Sequence, residues 1–389
     1  MEFMTKSMDA IFCTLLRIAL GLTSDFPYSP TEFEWRELFK MAERQTVLGV
    51  FYDAISRLPK ESRPPRLLVL RRAVYVETIR NQNRLMNQDA ARYTRLFAEH
   101  SFRSVILKGQ ANARLYPDPL SRQAGDIDIW VPVGYYKVKQ LLLDTGLVAK
   151  DDSTYKVLPH VRHLGFRNEN GIEIEVHHRP TEIPFRNKEF QAYLLAELDN
   201  STFAPEGFYS PSIRFALVMQ LQHLYYHCIR EGVGLRHFMD YFMLLKHSTE
   251  ADREIVWSKV KRFGLAHACA AVMWVLREVF GLSEGQMLCS PDRRRGMRLY
   301  RETFTGGNFG RGKNAGAGAG GETSLAGMRR GSWLGLRRSP LARRISFRLQ
   351  ALSWFTFDPL NTVLREIHYW RDTISLIPER IRRREMFLK

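Results

Sequence analysis

The chain has 389 residues, 45% hydrophobic and 25% charged, an ordinary globular balance with material for two or three packed units. Its four cysteines show no CxxC or CxxH spacing, which argues against a structural zinc site or a disulfide framework and fits a reducing, cytoplasmic setting. The net charge of +17 is uneven: residues 291–389 hold 21 Lys and Arg against 8 Asp and Glu, which points to a polyanionic partner for the basic C-terminus or to a solvated basic face.

Along the chain, the first apolar run, Ala10 to Leu22, is broken by Arg17 and preceded by Glu2, Lys6 and Asp9, unlike the basic start of a signal peptide. No stretch reaches the roughly eighteen uncharged apolar residues of a spanning helix, so no transmembrane segment is expected. Residues 8–22 and 31–57 carry apolar side chains at helical spacing (Trp35, Leu38, Phe39, then Val50, Phe51, Ala54), and Pro27 and Pro30 separate the two runs. After Pro64-Pro65 a helical pattern continues from Leu67 to His100. These define a helical N-terminal region, 1–100.

Periodicity changes over 101–200. Ser104–Leu107 predicts a buried strand ending at Lys108-Gly109, and Gln110–Tyr116 a helical piece closed by Pro117 and Pro119. Then come a strand, Asp126–Val131, a helix, Tyr135–Thr145, and two strands, Arg162–Arg167 and Ile172–His177, joined through the turn signal Asn170-Gly171. Helical spacing returns in 201–304. The Gly- and Arg-rich stretch 305–340 reads as a flexible segment, and 341–389 as basic C-terminal helices. Gly307–Lys313 nearly spells a P-loop, but Asn314 replaces the required Ser or Thr and no buried strand precedes it.

Alternation along Asp126-Ile127-Asp128-Ile129 puts both carboxylates on one strand face, about 6.6 Å apart. Such like charges call for a divalent cation, and hard oxygen ligands suit Mg2+, with Mn2+ as the alternative. A third carboxylate is expected from the next strand, where Glu173 and Glu175 share a face; Glu175 is placed to complete the site. Lys108-Gly109 ends a strand where a backbone can approach phosphate, the amides around Gln110 and Ala111 open the next helix, and Lys108 or Arg122 can neutralise a leaving pyrophosphate. His223 and His227, at i and i+4, lack a third zinc ligand, and Arg236 with Asp240 reads as a helix ion pair.

Together, Leu107-Lys108-Gly109, Tyr116-Pro117, Arg122, Gly125-Asp126-Ile127-Asp128 and Glu175-Val176-His177-His178 resemble the bacterial nucleotidyltransferase family of the DNA polymerase β superfamily, with its Lys-Gly, Asp-x-Asp and Glu-x-His pattern. His223–His227, Gly234-Leu235-Arg236, Asp240 and Gly307–Gly310 extend the likeness over most of residues 30–310. The resemblance implies an α+β fold: a small mixed-sheet core with flanking helical regions. It also implies Asp126 and Asp128 as metal ligands, Glu175 as third ligand or base, and Gly109 in the phosphate turn. The activity implied is transfer of a nucleoside monophosphate from an NTP to a hydroxyl of an unidentified acceptor. Gln110 departs from the superfamily pattern, which has Ser or Gly there, and leaves phosphate contact to backbone amides and Lys108. The rival expectation is an inactive binding protein of the same fold whose basic tail docks on nucleic acid or an anionic surface.

Overall fold

A computed structural model describes residues 8–149, 162–181, 187–230, 232–307, 357–359 and 363. Nearly all of the Gly- and Arg-rich segment and of the basic C-terminal helices expected from the sequence lies outside these residues.

Helices α1 (Met8–Ala19), α2 (Glu32–Arg44) and α3 (Leu48–Arg57) open the chain, and α4 (Arg66–Glu99) follows the paired prolines. Thr31 and Glu34 cap α2 reciprocally, each side chain meeting the other's backbone N–H. Strand β1 (Val105–Ile106), the single turn α5 (Gln110–Ala113), β2 (Asp126–Trp130), α6 (Tyr135–Asp144), β3 (His163–Arg167) and β4 (Glu173–His177) follow. Then come α7 (Asn187–Glu197), a small ribbon of β5 (Thr202–Phe203) with β6 (Tyr209–Ser210), and five helices: α8 (Ile213–Arg230), α9 (Leu235–Lys246), α10 (Glu250–Arg262), α11 (Ala266–Phe280) and α12 (Arg293–Gly306). No helix among the described residues is long and apolar enough to cross a membrane.

The main sheet has the order β1-β2-β4-β3, mixed as expected: β1 runs antiparallel to β2, β4 parallel to β2, and β3 antiparallel to β4. In the β3–β4 turn, Asn168 Oδ1 accepts from the Asn170 and Ile172 amides, and Gly171 takes φ +71°.

Strand alternation divides the sheet into two faces. Ile127, Ile129, Ile174 and Val176 are buried against Met86, Tyr93 and Phe97 of α4 and Val138, Leu141 and Leu142 of α6. The even residues of β2 and the odd residues of β4 point the other way, toward the helical part, where Trp130 stacks on Phe215 of α8 at 5.5 Å. On that side α1–α3 and α8–α12 share one continuous hydrophobic core, so the two helical regions at opposite ends of the chain pack together. Fully burying each large side chain there contributes about 1.5–3 kcal/mol.

The segment leading into β2 is pinned from two sides. Asn83 of α4 donates to the carbonyls of Leu120 and Arg122, both at 2.8 Å. Gly49 of α3 lies so close to Ser121 that a Cβ there would sit well inside van der Waals distance of the Ser121 carbonyl oxygen. We predict that Gly49→Ala, a substitution that favours an ordinary helix, destabilises this protein by about 1–3 kcal/mol through overpacking. Urea denaturation checks this; unchanged or raised stability would contradict the tight approach.

Candidate active site

The alternation that buries Ile127 and Ile129 turns Asp126 and Asp128 to the opposite face, and the parallel register sets Asp126 beside Glu173 and Asp128 beside Glu175. One carboxylate oxygen from each of Asp126, Asp128 and Glu175 lies within 4.8 Å of the others. The structure thus brings together the three carboxylates expected from the sequence. Glu173, which shares their face, is exposed and pairs with Arg167.

Three acidic groups this close repel one another, and two cations hold them. Lys108 Nζ stands 2.9 Å from Asp128 Oδ2 and 3.9 Å from Asp126 Oδ2. His177 Nε2 lies 3.0 Å from Asp128 Oδ1 and 3.2 Å from Glu175 Oε2. The charge of Asp128 raises the pKa of Asp126. Burial pushes Asp128 the same way, but Lys108 and His177 outweigh it and hold that carboxyl well below its usual range. Burial likewise opposes the charged forms of Lys108 and His177, yet the carboxylates raise both. In Glu175, burial is overcome by the hydrogen bond from His177, and its pKa falls.

The donor set fits a hard divalent cation. Three carboxylates exceed by one the two cations that answer them. Asp128 Oδ2 is buried, with the ammonium of Lys108 as its neighbour at 2.9 Å. Asp126, Asp128 and Glu175 would hold such an ion.

Beside Asp126 a cavity opens between the sheet and helices α8 and α9. Lys108, Gly109, Gly125, His223, Arg236 and His237 are among the residues lining it. Gly109 takes φ +62°, a left-handed conformation that side chains disfavour, which lets the chain turn sharply beneath the carboxylates. Gln110 points away into the interior, donating to Asn83 Oδ1 at 3.1 Å. The Ala111 amide, expected to face phosphate, donates instead to the Lys108 carbonyl, and α5 is only one turn long, too short for a substantial helix dipole.

Two cations trade the places the sequence suggested. Arg122, a candidate phosphate clamp, is buried in a forked pair with Asp240, its Nε and Nη2 at 2.8 and 2.6 Å from the carboxylate oxygens; the Tyr116 hydroxyl donates to the same carboxylate at 2.7 Å. The expected Arg236–Asp240 helix pair is therefore replaced by one across 118 residues. Arg236 donates to the Gln123 carbonyl at 2.9 Å, but its Nε is buried without a hydrogen-bond partner and no carboxylate pairs with it among the described residues. Burial, helped by the charge of Lys108 at His223 and of Arg236 at His237, pushes both imidazoles well below their ordinary pKa.

His163 was absent from the sequence reading. It faces His177 across the β3–β4 hairpin, its Nδ1 3.3 Å from Glu175 Oε2. Both histidines lie on strands expected from the sequence, but the turn signal alone does not fix the register that pairs them, with Arg167 opposite Glu173.

A carboxylate cluster on a small mixed sheet, beside a cationic cavity, is an arrangement able to hold a cation against a polyphosphate. A match spanning residues 31–281 places the chain in the family described as "Uncharacterised nucleotidyltransferase", and the chain belongs to that family. No curated protein matches it. Among solved structures, it is similar to an antigenic nucleotidyltransferase-like protein from Paracoccidioides brasiliensis, at 13% identity and a TM-score of 0.32, over 56% of this chain and 92% of that one.

The raised pKa of His177 makes a prediction for the metal-free protein. Its charged form contributes stability that is fully present below the ordinary value of 6.5 and is lost as pH rises through the folded value. Denaturation in chelator should show stability falling with pH above that point in the wild type, and a flatter profile in His177→Gln. Equal slopes would show that the imidazolium does not hold the carboxylates.

Proposed function

We propose that the chain is a metal-dependent nucleotidyltransferase with a polymerase β-type centre, moving a nucleoside monophosphate from an NTP to an acceptor hydroxyl. The convergence of Asp126, Asp128 and Glu175 on one sheet face, beside a cavity lined by Lys108 and by Arg236, whose Nε has no hydrogen-bond partner, is the observation that carries this reading. Asp126, Asp128 and Glu175 bind Mg2+, or Mn2+ in its place, and the ion when bound supplies charge stabilisation to the attacking and leaving oxygens.

This chain's own residues do the rest. Gly109 and Lys108 turn beneath the phosphates, and Arg236 offers its unpartnered Nε to the departing pyrophosphate, a role for which Arg122 is already engaged by Asp240. The acceptor oxygen attacks the α-phosphorus, the bond to the pyrophosphate oxygen breaks, and the acceptor proton leaves toward the carboxylate side of the site, where Glu175 lies. Catalysis rests on positioning and charge neutralisation. The division into a helical region 1–100, a core 101–200 and a helical domain 201–304 belongs to the same proposal, as does a docking role for the basic tail toward a polyanionic acceptor.

The test follows two labels. With Mg2+ and a cell extract as acceptor source, label from α-32P NTP should enter product, and label from γ-32P NTP should leave as pyrophosphate. Asp126→Asn and Asp128→Asn should fold normally and lose transfer by about a hundredfold or more, each removing an anionic ligand at constant shape. Transfer of the γ label, or undiminished transfer in both variants, would overturn the assignment. NTP binding with no transfer in the presence of either Mg2+ or Mn2+ would favour the inactive binding protein.

A further inference from the structure

The carboxylate centre has a second flank that nucleotidyl transfer leaves unused. On it, Glu175 sits between two imidazoles: its Oε2 lies 3.3 Å from His163 Nδ1 and 3.2 Å from His177 Nε2. The rings are 5.0 Å apart, and one ligand atom from each residue lies within 4.8 Å of the others. Donors bound to one divalent ion at about 2.0–2.2 Å sit about 3.0–3.4 Å apart at neighbouring corners of an octahedron or tetrahedron. Both separations from Glu175 fall in that range.

The imidazoles are also turned as ligands are. His177 Nδ1 meets the Arg179 carbonyl at 3.2 Å and must donate to it, so Nε2 is the nitrogen presented to Glu175, and it gives up its proton when a metal ion binds. Outer hydrogen bonds of this kind fix the ring and tautomer of metal-bound histidines. At His163, Arg162 Nε donates to Nδ1 across a long 3.3 Å, leaving that nitrogen as an acceptor facing a second acceptor, Glu175 Oε2. A metal ion there would take the one lone pair of Nδ1 in place of the long Arg162 bond. Imidazole nitrogen favours transition metals over Mg2+.

We propose that His163, Glu175 and His177 form a second metal site, sharing Glu175 with the carboxylate centre, that takes a borderline divalent transition-metal ion of the Zn2+ or Co2+ kind in preference to Mg2+. The site requires neither nucleotide nor turnover, so it goes beyond the transferase reading and the two can fail separately.

Co2+ is the probe, titrated into the full-length, metal-stripped protein without nucleotide and in a large excess of Mg2+, with its visible d–d absorption as readout. The wild type should bind Co2+ with a spectrum showing nitrogen ligation. His163→Ala and His163→Gln, at a part-exposed position on β3, should melt as the wild type does when metal-free and bind Co2+ more than about tenfold more weakly. Asp126→Asn, outside the three ligands, should retain the spectrum. Unaltered binding in both His163 variants, or displacement of Co2+ by Mg2+ at comparable concentrations, would overturn the proposal.

Discussion

Mutual repulsion among Asp126, Asp128 and Glu175 is the constraint that the surrounding structure answers. In the folded chain the parallel register of β2 on β4 forces these carboxylates together. Lys108 from the end of β1 and His177 from β4 itself supply the opposing charge. Every strand of the main sheet except β3 thus contributes to one electrostatic balance, and β3 adds His163 at its margin. The same closeness that is costly without cations suits the three carboxylates to a divalent ion.

Holding such a cluster needs a frame that does not yield, and the two hydrophobic cores provide it. One face of the sheet is sealed by α4 and α6. The other meets the helical part, with Trp130 on Phe215 as one of the joining contacts. The Arg122–Asp240 pair ties the segment before β2 to α9, and the Asn112–Gln220 amide pair ties α5 to α8 at 2.8 and 2.9 Å. The cavity therefore lies where sheet and helices meet. Removing one partner of a buried ion pair such as Arg122–Asp240 costs about 3–5 kcal/mol, so its main effect is to lock the walls.

Much of this was legible in the sequence because it is periodic. Alternation in Asp126–Trp130 and in Glu173–His177 assigns faces, the Asn170-Gly171 turn sets the hairpin, and proline pairs mark helix starts. Periodicity assigns a face but not a partner across space. The pairing of Arg122 with Asp240, against the i, i+4 spacing that favours Arg236, depends on how α9 docks beside the 118–125 segment. The inward turn of Gln110 depends likewise on Asn83 of α4. The shared core of α1–α3 with α8–α12 could not be read from either region alone, because each shows only an apolar stripe and no address for it.

If Asp126, Asp128 and Glu175 form the proposed centre, together they enclose a divalent cation that a nucleotide helps to bind. Crystals grown with Mn2+ and a non-hydrolysable NTP analogue, measured for anomalous scattering at the manganese edge, test it most directly. The account predicts an anomalous peak within about 2.0–2.3 Å of oxygens from all three carboxylates, with analogue phosphate completing the shell and Lys108 moved off Asp128. A bound analogue with no peak there, and Lys108 still paired to Asp128, would contradict it.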